Sequence, residues 1–177
     1  MTELLSAPVE VYIGLGSNLQ QPLTQVTAAV ASLAQLPHTQ LLKCSRWYQS
    51  KPLVVAGENP DEHPDFVNGA VCLLTRLDAH DLLDQLQAIE HAQGRERKQH
   101  WGDRTLDLDL LLYGNHIINS ERLQVPHPQL HLRNFVLYPL ADLNPALTLP
   151  TGTSLASLLA SNNSDGLFAI SEQPRES

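Results

Sequence analysis

The chain has 177 residues, 42% of them hydrophobic and 17% charged, with eleven Lys and Arg against nineteen Asp and Glu, for a net charge of −8. That balance reads as a globular chain able to bury a sizeable core. It excludes a disordered chain and argues against a broad surface for nucleic acid or anionic membrane.

One domain is expected over residues 1–177, with the core at 9–160 and a polar C-terminal tail. Cys44 and Cys72 are far apart and lack metal-ligand spacing, so they read as two buried free thiols in a reducing cytoplasm. There is no basic-then-apolar leader and no apolar run long enough to span a bilayer, so a soluble, cytoplasmic protein is expected.

Residues 1–8 read as a loose end. Val9 to Leu15 reads as the first strand, with Val9, Val11 and Ile13 on one face. The run Gly14-Leu15-Gly16-Ser17-Asn18-Leu19 is not G-x-G-x-x-G, and no G-K-[ST] follows it. Dinucleotide and P-loop readings therefore fail, and the glycines read as a turn from strand to helix. A helix is expected from Pro22 to Leu36, with Pro22 in its first turn, Val26, Val30 and Leu33 on its apolar face, and Pro37 closing it. Leu41 to Gln49 reads as a second strand.

A loop rich in turn formers follows over 52–64, long enough to suggest a lid or binding loop. Phe66 to Thr75 reads as a third strand, with Phe66, Asn68, Ala70 and Cys72 on one face. Asp78 to Gln93 reads as a second helix with Leu82, Leu83, Leu86 and Ile89 inward, ended by Gly94. Asn115 to Asn119 reads as a turn and short strand, and Val125 to Pro128 as a stiff segment. Arg133 to Leu140 is another apolar stretch. Thr153 to Ala160 reads as a short helix, and the end of the chain as mobile. The order β-α-β-β-α-β is the split βαβ plan. An α+β, ferredoxin-like fold is expected, with a mostly antiparallel sheet, helices packed on one side and C-terminal additions covering the rest.

The most informative stretch is 101–114, Trp-Gly-Asp-Arg-Thr-Leu-Asp-Leu-Asp-Leu-Leu-Leu-Tyr-Gly. Its period of two predicts a strand with Leu106, Leu108 and Leu110 on one face and Thr105, Asp107 and Asp109 on the other. From Leu110 to Leu112 it is apolar on both faces, as in a central strand. Two carboxylates at i and i+2 point the same way, roughly 7 Å apart at Cα, and repel unless a cation lies between them. Hard oxygen donors at that spacing suit magnesium, with water and phosphate oxygens completing its octahedron. Just upstream lie Arg95, Arg97, Lys98, His100 and Arg104, four of the eleven Lys and Arg. Carboxylates for a metal beside guanidinium groups for the remaining oxygens point to polyphosphate chemistry. The alternatives are a strand with one solvated face and a solvated basic loop.

At this point the chain resembles the 6-hydroxymethyl-7,8-dihydropterin pyrophosphokinase family of folate biosynthesis. The resemblance runs from Val11 to Leu149 through Tyr-Ile-Gly-Leu-Gly-Ser-Asn-Leu at 12–19, Asp-Phe-Val-Asn-Gly-Ala-Val at 65–71 and Gly-Arg-Glu-Arg-Lys at 94–98. It continues through 101–114, Val-Pro-His-Pro at 125–128 and Arg-Asn-Phe-Val-Leu-Tyr-Pro-Leu at 133–140. It implies transfer of a pyrophosphoryl group from ATP to the hydroxymethyl of the pterin, with release of AMP. It further implies that Asp107 and Asp109 hold two Mg2+ ions, and that Arg95 and Arg97 belong to a closing catalytic loop. Gln87, Glu90, Lys98, Trp101, Arg104, Arg122, His127 and Arg133 match positions around ATP. Phe66 and Phe135 match a pair of rings that sandwiches the pterin, Asn68 the amide that reads its edge, and Ser50 and Leu53 loop positions beside it. Gln124 and Pro128 stand where some members carry a hydroxyl and an aromatic residue.

A monomer is expected, with ATP and the hydroxymethyl-dihydropterin as its ligands and neither nucleic acid nor membrane among them. No second folate-pathway domain is seen in the sequence. A different magnesium-dependent phosphoryl or nucleotidyl transferase would share the aspartate pair but has no use for Asn68 between Phe66 and Phe135. An RNA-binding module on the same sheet plan is opposed by the acidic balance and the lack of sheet-face aromatics in the expected pattern.

Overall fold

The protein is described by a computed structural model over residues 4–18, 21–50, 65–94 and 106–170. A long first strand, β1 (Leu4–Ser17), lies between β4 (Phe66–Leu77) and β5 (Asp107–Tyr113). Two short strands, β2 (Thr39–Cys44) and β3 (Tyr48–Ser50), pair one after the other along the far edge of β4. A last strand, β8 (Leu167–Ala169), pairs with β3. The sheet order is β5-β1-β4-β3-β8, with β2 beside β3 on β4, and every pairing is antiparallel. This is the split βαβ order foreseen from the sequence, extended by one C-terminal strand.

The two crossover helices cover one face. In α1 (Pro22–Ala34), Pro22 presets the first turn, and Val26, Ala29 and Leu33 are buried. In α2 (Ala79–Gly94), Asp78 Oδ1 caps the start by accepting the Asp81 N–H at 2.8 Å. Leu82 and Leu86 are fully buried against Val11, Ile13, Val71, Leu73, Leu108 and Leu110. Each such side chain contributes roughly 2 kcal/mol by leaving water. The opposite face carries a second core. Tyr12, Ala70, Cys72, Leu111 and Leu112 pack under α3 (Asn134–Leu143) and α4 (Leu155–Ser161). Helices thus lie on both faces, and the C-terminal additions cover what the crossovers leave. Ser154 caps α4, accepting the Ser157 N–H. A small hairpin, β6 (Ile118–Asn119) with β7 (Gln124–Val125), lies beside β5. The Val125–Pro126 peptide is cis.

Several expectations are corrected. Residues 4–8 are not a loose end: β1 starts at Leu4, and Leu4 pairs with Leu77 before a register shift. Leu41 to Gln49 is not one strand. Ser45 Oγ accepts the Ala70 N–H and donates to the Arg46 carbonyl, breaking the run into β2 and β3. Gly14 and Gly16 lie inside β1, not in a turn, because β4 and β5 flank them on both sides. β5 is an edge strand, not a central one, although both faces of its 110–113 half are buried. Its alternation is interrupted by a bulge. Tyr12 faces Leu112 and Ile13 faces Leu110, so Leu111 is an extra residue and joins Leu112 on the α3 side. Arg133 to Leu140 forms most of a helix in spite of Pro139 within it. The chain end is not wholly loose, since β8 docks on β3. Cys72 is buried but Cys44 is exposed. No helix among the described residues is long and apolar enough to cross a membrane.

Candidate active site

Cross-strand neighbours in an antiparallel sheet share a face, and this fixes the floor of the site. One row across the sheet reads Asn68, Gly16, Asp107, and the next reads Ala70, Gly14, Asp109. Both rows lie on the face that α3 and α4 cover. Those helices close only one end of it, over Tyr12, Cys72 and Leu112. At the other end the face stays open as a cleft whose lining includes Gly14, Gly16, Asn68, Asp107 and Asp109. The two glycines lower the floor between the amide and the carboxylates. A Cβ on Gly16 would stand 3.0 Å from Asn68 Oδ1, a distance that real side chains seldom reach.

The walls come from Ser50 and Phe66 on the sheet, and from Arg133, Phe135 and Val136 at the start of α3. Asn68 is buried, and its Nδ2 donates to Ser50 Oγ at 2.8 Å. That bond uses one amide hydrogen and leaves the other hydrogen and Oδ1 for a planar partner. Phe66 and Phe135 are half-buried, as aromatic walls open to a ligand must be. The Arg133 guanidinium stands 5.6 Å from the Phe135 ring centroid and also donates to Gln129 Oε1. A cation therefore sits in the wall of the cleft.

A second group follows the outer edge of β5. An edge strand presents backbone groups with no strand beside them. Glu90 Oε2 accepts the Leu108 N–H at 2.6 Å, and the His127 N–H donates to the Leu111 carbonyl at 3.0 Å. His127 Nδ1 accepts the Gln129 N–H at 3.1 Å, which puts the neutral ring's proton on Nε2. Burial holds this imidazole below the ordinary histidine range; Asp109 pulls it up, and Arg133 pushes it further down. On the hairpin, Arg122 Nη2 donates to Asp84 Oδ1 at 2.7 Å and to Gln87 Oε1 at 3.1 Å.

The described site residues thus fall into two sets. Ser50, Phe66, Asn68, Asp107, Asp109, Arg133 and Phe135 meet in one cleft. Outside that cleft, Glu90 and His127 bond to the edge of β5, and Gln87 and Arg122 pair with each other between α2 and the hairpin. The aspartates stand between the sets. Leu53, Arg95, Arg97, Lys98, Trp101 and Arg104 lie outside the described residues, as do the 52–64 loop and the whole of the basic run. The sequence reading missed Gly14 and Gly16, although glycines at alternate positions of one strand do signal a backbone that something approaches closely.

Asp107 and Asp109 fit a hard divalent ion. They are two half-exposed carboxylates on one strand face, open to a cleft, and the described residues hold no cluster of three His, Cys, Asp or Glu around them. A magnesium ion keeps several positions for water and substrate phosphate, and such a two-carboxylate set leaves them.

Several known proteins resemble this chain. A family model described as 7,8-dihydro-6-hydroxymethylpterin-pyrophosphokinase matches residues 12–145. A 2-amino-4-hydroxy-6-hydroxymethyldihydropteridine pyrophosphokinase from Pseudomonas aeruginosa is 50% identical over 157 residues, covering 89% of this chain and 94% of its own. A protein of the same name from Haemophilus influenzae is 46% identical, covering 85% of this chain and 91% of its own. Among solved structures, Plasmodium falciparum HPPK-DHPS wild type aligns with a TM-score of 0.65 at 12% identity, over 87% of this chain and 44% of that one. An HPPK-DHPS in complex with substrates gives a TM-score of 0.64 at 13% identity, over 88% and 43%. This chain spans less than half the length of those solved chains, and the likeness to them shows the fold.

Proposed function

This chain belongs to the 7,8-dihydro-6-hydroxymethylpterin-pyrophosphokinase family, and from that membership we infer how its cleft is used. The chain is a diphosphokinase. It transfers pyrophosphate from ATP to 6-hydroxymethyl-7,8-dihydropterin, giving the pterin diphosphate and AMP in folate biosynthesis.

Phe66 and Phe135 hold the flat pterin between them, and Asn68, oriented by Ser50, reads its edge. The ring has donors and acceptors in one plane, and a primary amide can meet both. Gly14 and Gly16 let the acceptor lie close to the sheet, with its hydroxymethyl toward Asp107 and Asp109. Those aspartates would hold Mg2+, two ions being expected with ATP, and the bound metal would neutralise polyphosphate charge and polarise its oxygens. ATP lies along the edge of β5, toward Gln87, Glu90, Arg122 and His127. The hydroxymethyl oxygen attacks the β phosphorus and loses its proton, while the bond from that phosphorus to the AMP oxygen breaks. Arg133 in the cleft wall carries positive charge to the phosphates in transfer. Arg95 and Arg97, with Lys98, Trp101 and Arg104 nearby in sequence, stabilise charge on the departing AMP.

One observation carries this reading: Asn68 and the two aspartates share one sheet face, separated only by the glycines of β1. An acceptor on that face would have its reactive group beside the metal-bound donor, and proximity of that kind supplies much of a transfer enzyme's rate. The protein is proposed to act as one domain, as a cytoplasmic monomer, with no nucleic acid or membrane as partner. Incubation with ATP, Mg2+ and 6-hydroxymethyl-7,8-dihydropterin tests the reading through the nucleotide product. AMP in step with pterin diphosphate is expected, and ADP would overturn it.

A further inference from the structure

Away from the cleft, Asp142 at the end of α3 collects four hydrogen bonds from one short segment. Tyr48 Oη donates to Oδ2 at 2.8 Å. Arg46 donates from its backbone N to Oδ2 at 3.2 Å, from Nε to Oδ2 at 3.3 Å and from Nη2 to Oδ1 at 3.1 Å. Arg46 Nη2 also reaches Tyr48 Oη at 2.9 Å. The Asp142 side chain keeps only 17% of its surface exposed. Such a carboxylate is tolerable because its lone pairs are satisfied, largely by charged donors. Burial, and then the bond to Asp142, push the Tyr48 phenol up to about 12, so it stays a donor at any working pH.

The placement of this strut matters more than its strength. Tyr48 pairs with Asn68, and Ser50 pairs with Phe66. Tyr48 therefore stands next to Asn68 in the row Asn68, Gly16, Asp107, on the same sheet face. Its hydroxyl spans from that row to the C-terminal turn of α3. Phe135 lies seven residues before Asp142 on the same helix, two turns away and on the same stripe. Two further hydrogen bonds tie the same end of α3 to the sheet, from Lys43 Nζ to the Leu143 carbonyl at 3.1 Å and from Asn144 Nδ2 to Tyr12 Oη at 3.2 Å, and the remaining contacts are largely leucine packing through Leu137, Leu140 and Leu143. Such packing is strong but non-directional. Hydrogen bonds of fixed geometry set where the helix sits, and a helix pinned at Asp142 fixes Phe135 two turns away.

We propose that Tyr48 and Asp142 are positioning residues for the acceptor, setting the gap between Phe66 on the sheet and Phe135 on α3. The proposal rests on the reading above that these two rings hold the pterin. The strut touches neither the aspartates nor the edge of β5, so it acts on acceptor binding and leaves ATP binding alone.

Calorimetry on the full chain tests this with Tyr48→Phe, Asp142→Asn, the double variant and Phe135→Ala. Each is titrated with 6-hydroxymethyl-7,8-dihydropterin, and separately with a non-hydrolysable ATP analogue and Mg2+. Tyr48→Phe and Asp142→Asn should each weaken acceptor binding by about fivefold to tenfold, the size of one charge-assisted hydrogen bond lost. The double variant should lose little more than either single one, because both break the same strut. Affinity for the ATP analogue should stay within about twofold. Tyr48→Phe keeps the ring and its packing, so it decides the matter alone if Asp142→Asn does not fold. Equal losses for both ligands would reduce the strut to a general structural role and overturn the proposal. Unchanged acceptor affinity in both strut variants, with a loss in Phe135→Ala, would overturn the strut and leave the pterin slot standing. Unchanged affinity in Phe135→Ala would remove the slot, and the proposal with it.

Discussion

Glu90 Oε2 accepts the backbone N–H of Leu108 at 2.6 Å, and Leu108 is the residue between the two aspartates of β5. A carboxylate on α2 thus fixes the strand that carries both carboxylates of the site. Its place on a helix face resembles an ordinary solvated charge, yet it is half-buried and engaged with the sheet edge.

Glu90→Ala should therefore lower kcat/KM and raise the Mg2+ concentration needed for half-maximal activity, because the strand under the aspartates loses its tie. The loss should fall at roughly 1–3 kcal/mol, the usual cost of removing a partner from a buried polar group. Glu90→Gln keeps an acceptor oxygen and should retain most of the Mg2+ response. If both variants raise KM for ATP equally and leave the Mg2+ response unmoved, Glu90 acts on the nucleotide directly.

Asp107→Ala and Asp109→Ala should each lower turnover by at least ~100-fold, as loss of a principal electrostatic group does. Both side chains are half-exposed on a cleft face, so the fold should persist. Steady-state assays with circular dichroism check both halves of the statement. Activity near the parent level in either variant refutes the metal pair.

Gly16→Ala should weaken acceptor binding with little effect on ATP. The added methyl would meet Asn68 Oδ1 at 3.0 Å, so the amide must shift from the position that Ser50 gives it. Asn68→Ala should do the same, at roughly 1–3 kcal/mol for each polar pterin group left unpaired. Titration of each variant with pterin and with nucleotide separates the two effects, and losses shared between the ligands count against a pterin-side role.

Arg95→Ala should lower kcat strongly and leave KM for ATP nearly unchanged. The prediction comes from sequence, where Arg95, Arg97 and Lys98 crowd together with only Glu96 to offset them. Cations that gain a full partner only as charge builds on the leaving group act in the transition state. A raised KM with kcat intact would assign Arg95 to simple attraction of ATP.

Much of this architecture was legible beforehand. Period two separated Asp107 and Asp109 from Leu106, Leu108 and Leu110, and Asn68 from Val67 and Val71, and the structure keeps those sides. Long-range pairing was not legible. The unbroken apolar run from Leu110 to Leu112 reports burial on both faces, which a covered edge strand shares with a central one. Nothing local in Gly14-Leu15-Gly16 distinguishes a turn from a strand whose neighbours need an open floor. The split of β2 from β3 hangs on Ser45 bonding to Ala70, twenty-five residues away. The apolar stretch from Arg133 to Leu140 left its element type open, and in the fold burial of Leu137, Leu140 and Leu143 outweighs the hydrogen bond that Pro139 cannot make within the helix.

The bulge at Leu111 makes β5 unusual toward loss of a single codon. Deleting one residue from a regular strand turns everything on one side of the cut to the opposite face. Here the alternation already carries one residue too many between Leu110 and Leu112. A chain lacking Leu111 would regain an unbroken ladder, with Asp107 and Asp109 still over the cleft and Tyr113 still in the core. It would forfeit the leucine packed beside Gly14 and the carbonyl that accepts the His127 N–H. A chain lacking Leu108 would instead bring the two aspartates side by side in sequence and drive Asp107 into the apolar layer under α2. In a library of one-residue deletions, position 111 should stand out as the permissive one in this strand.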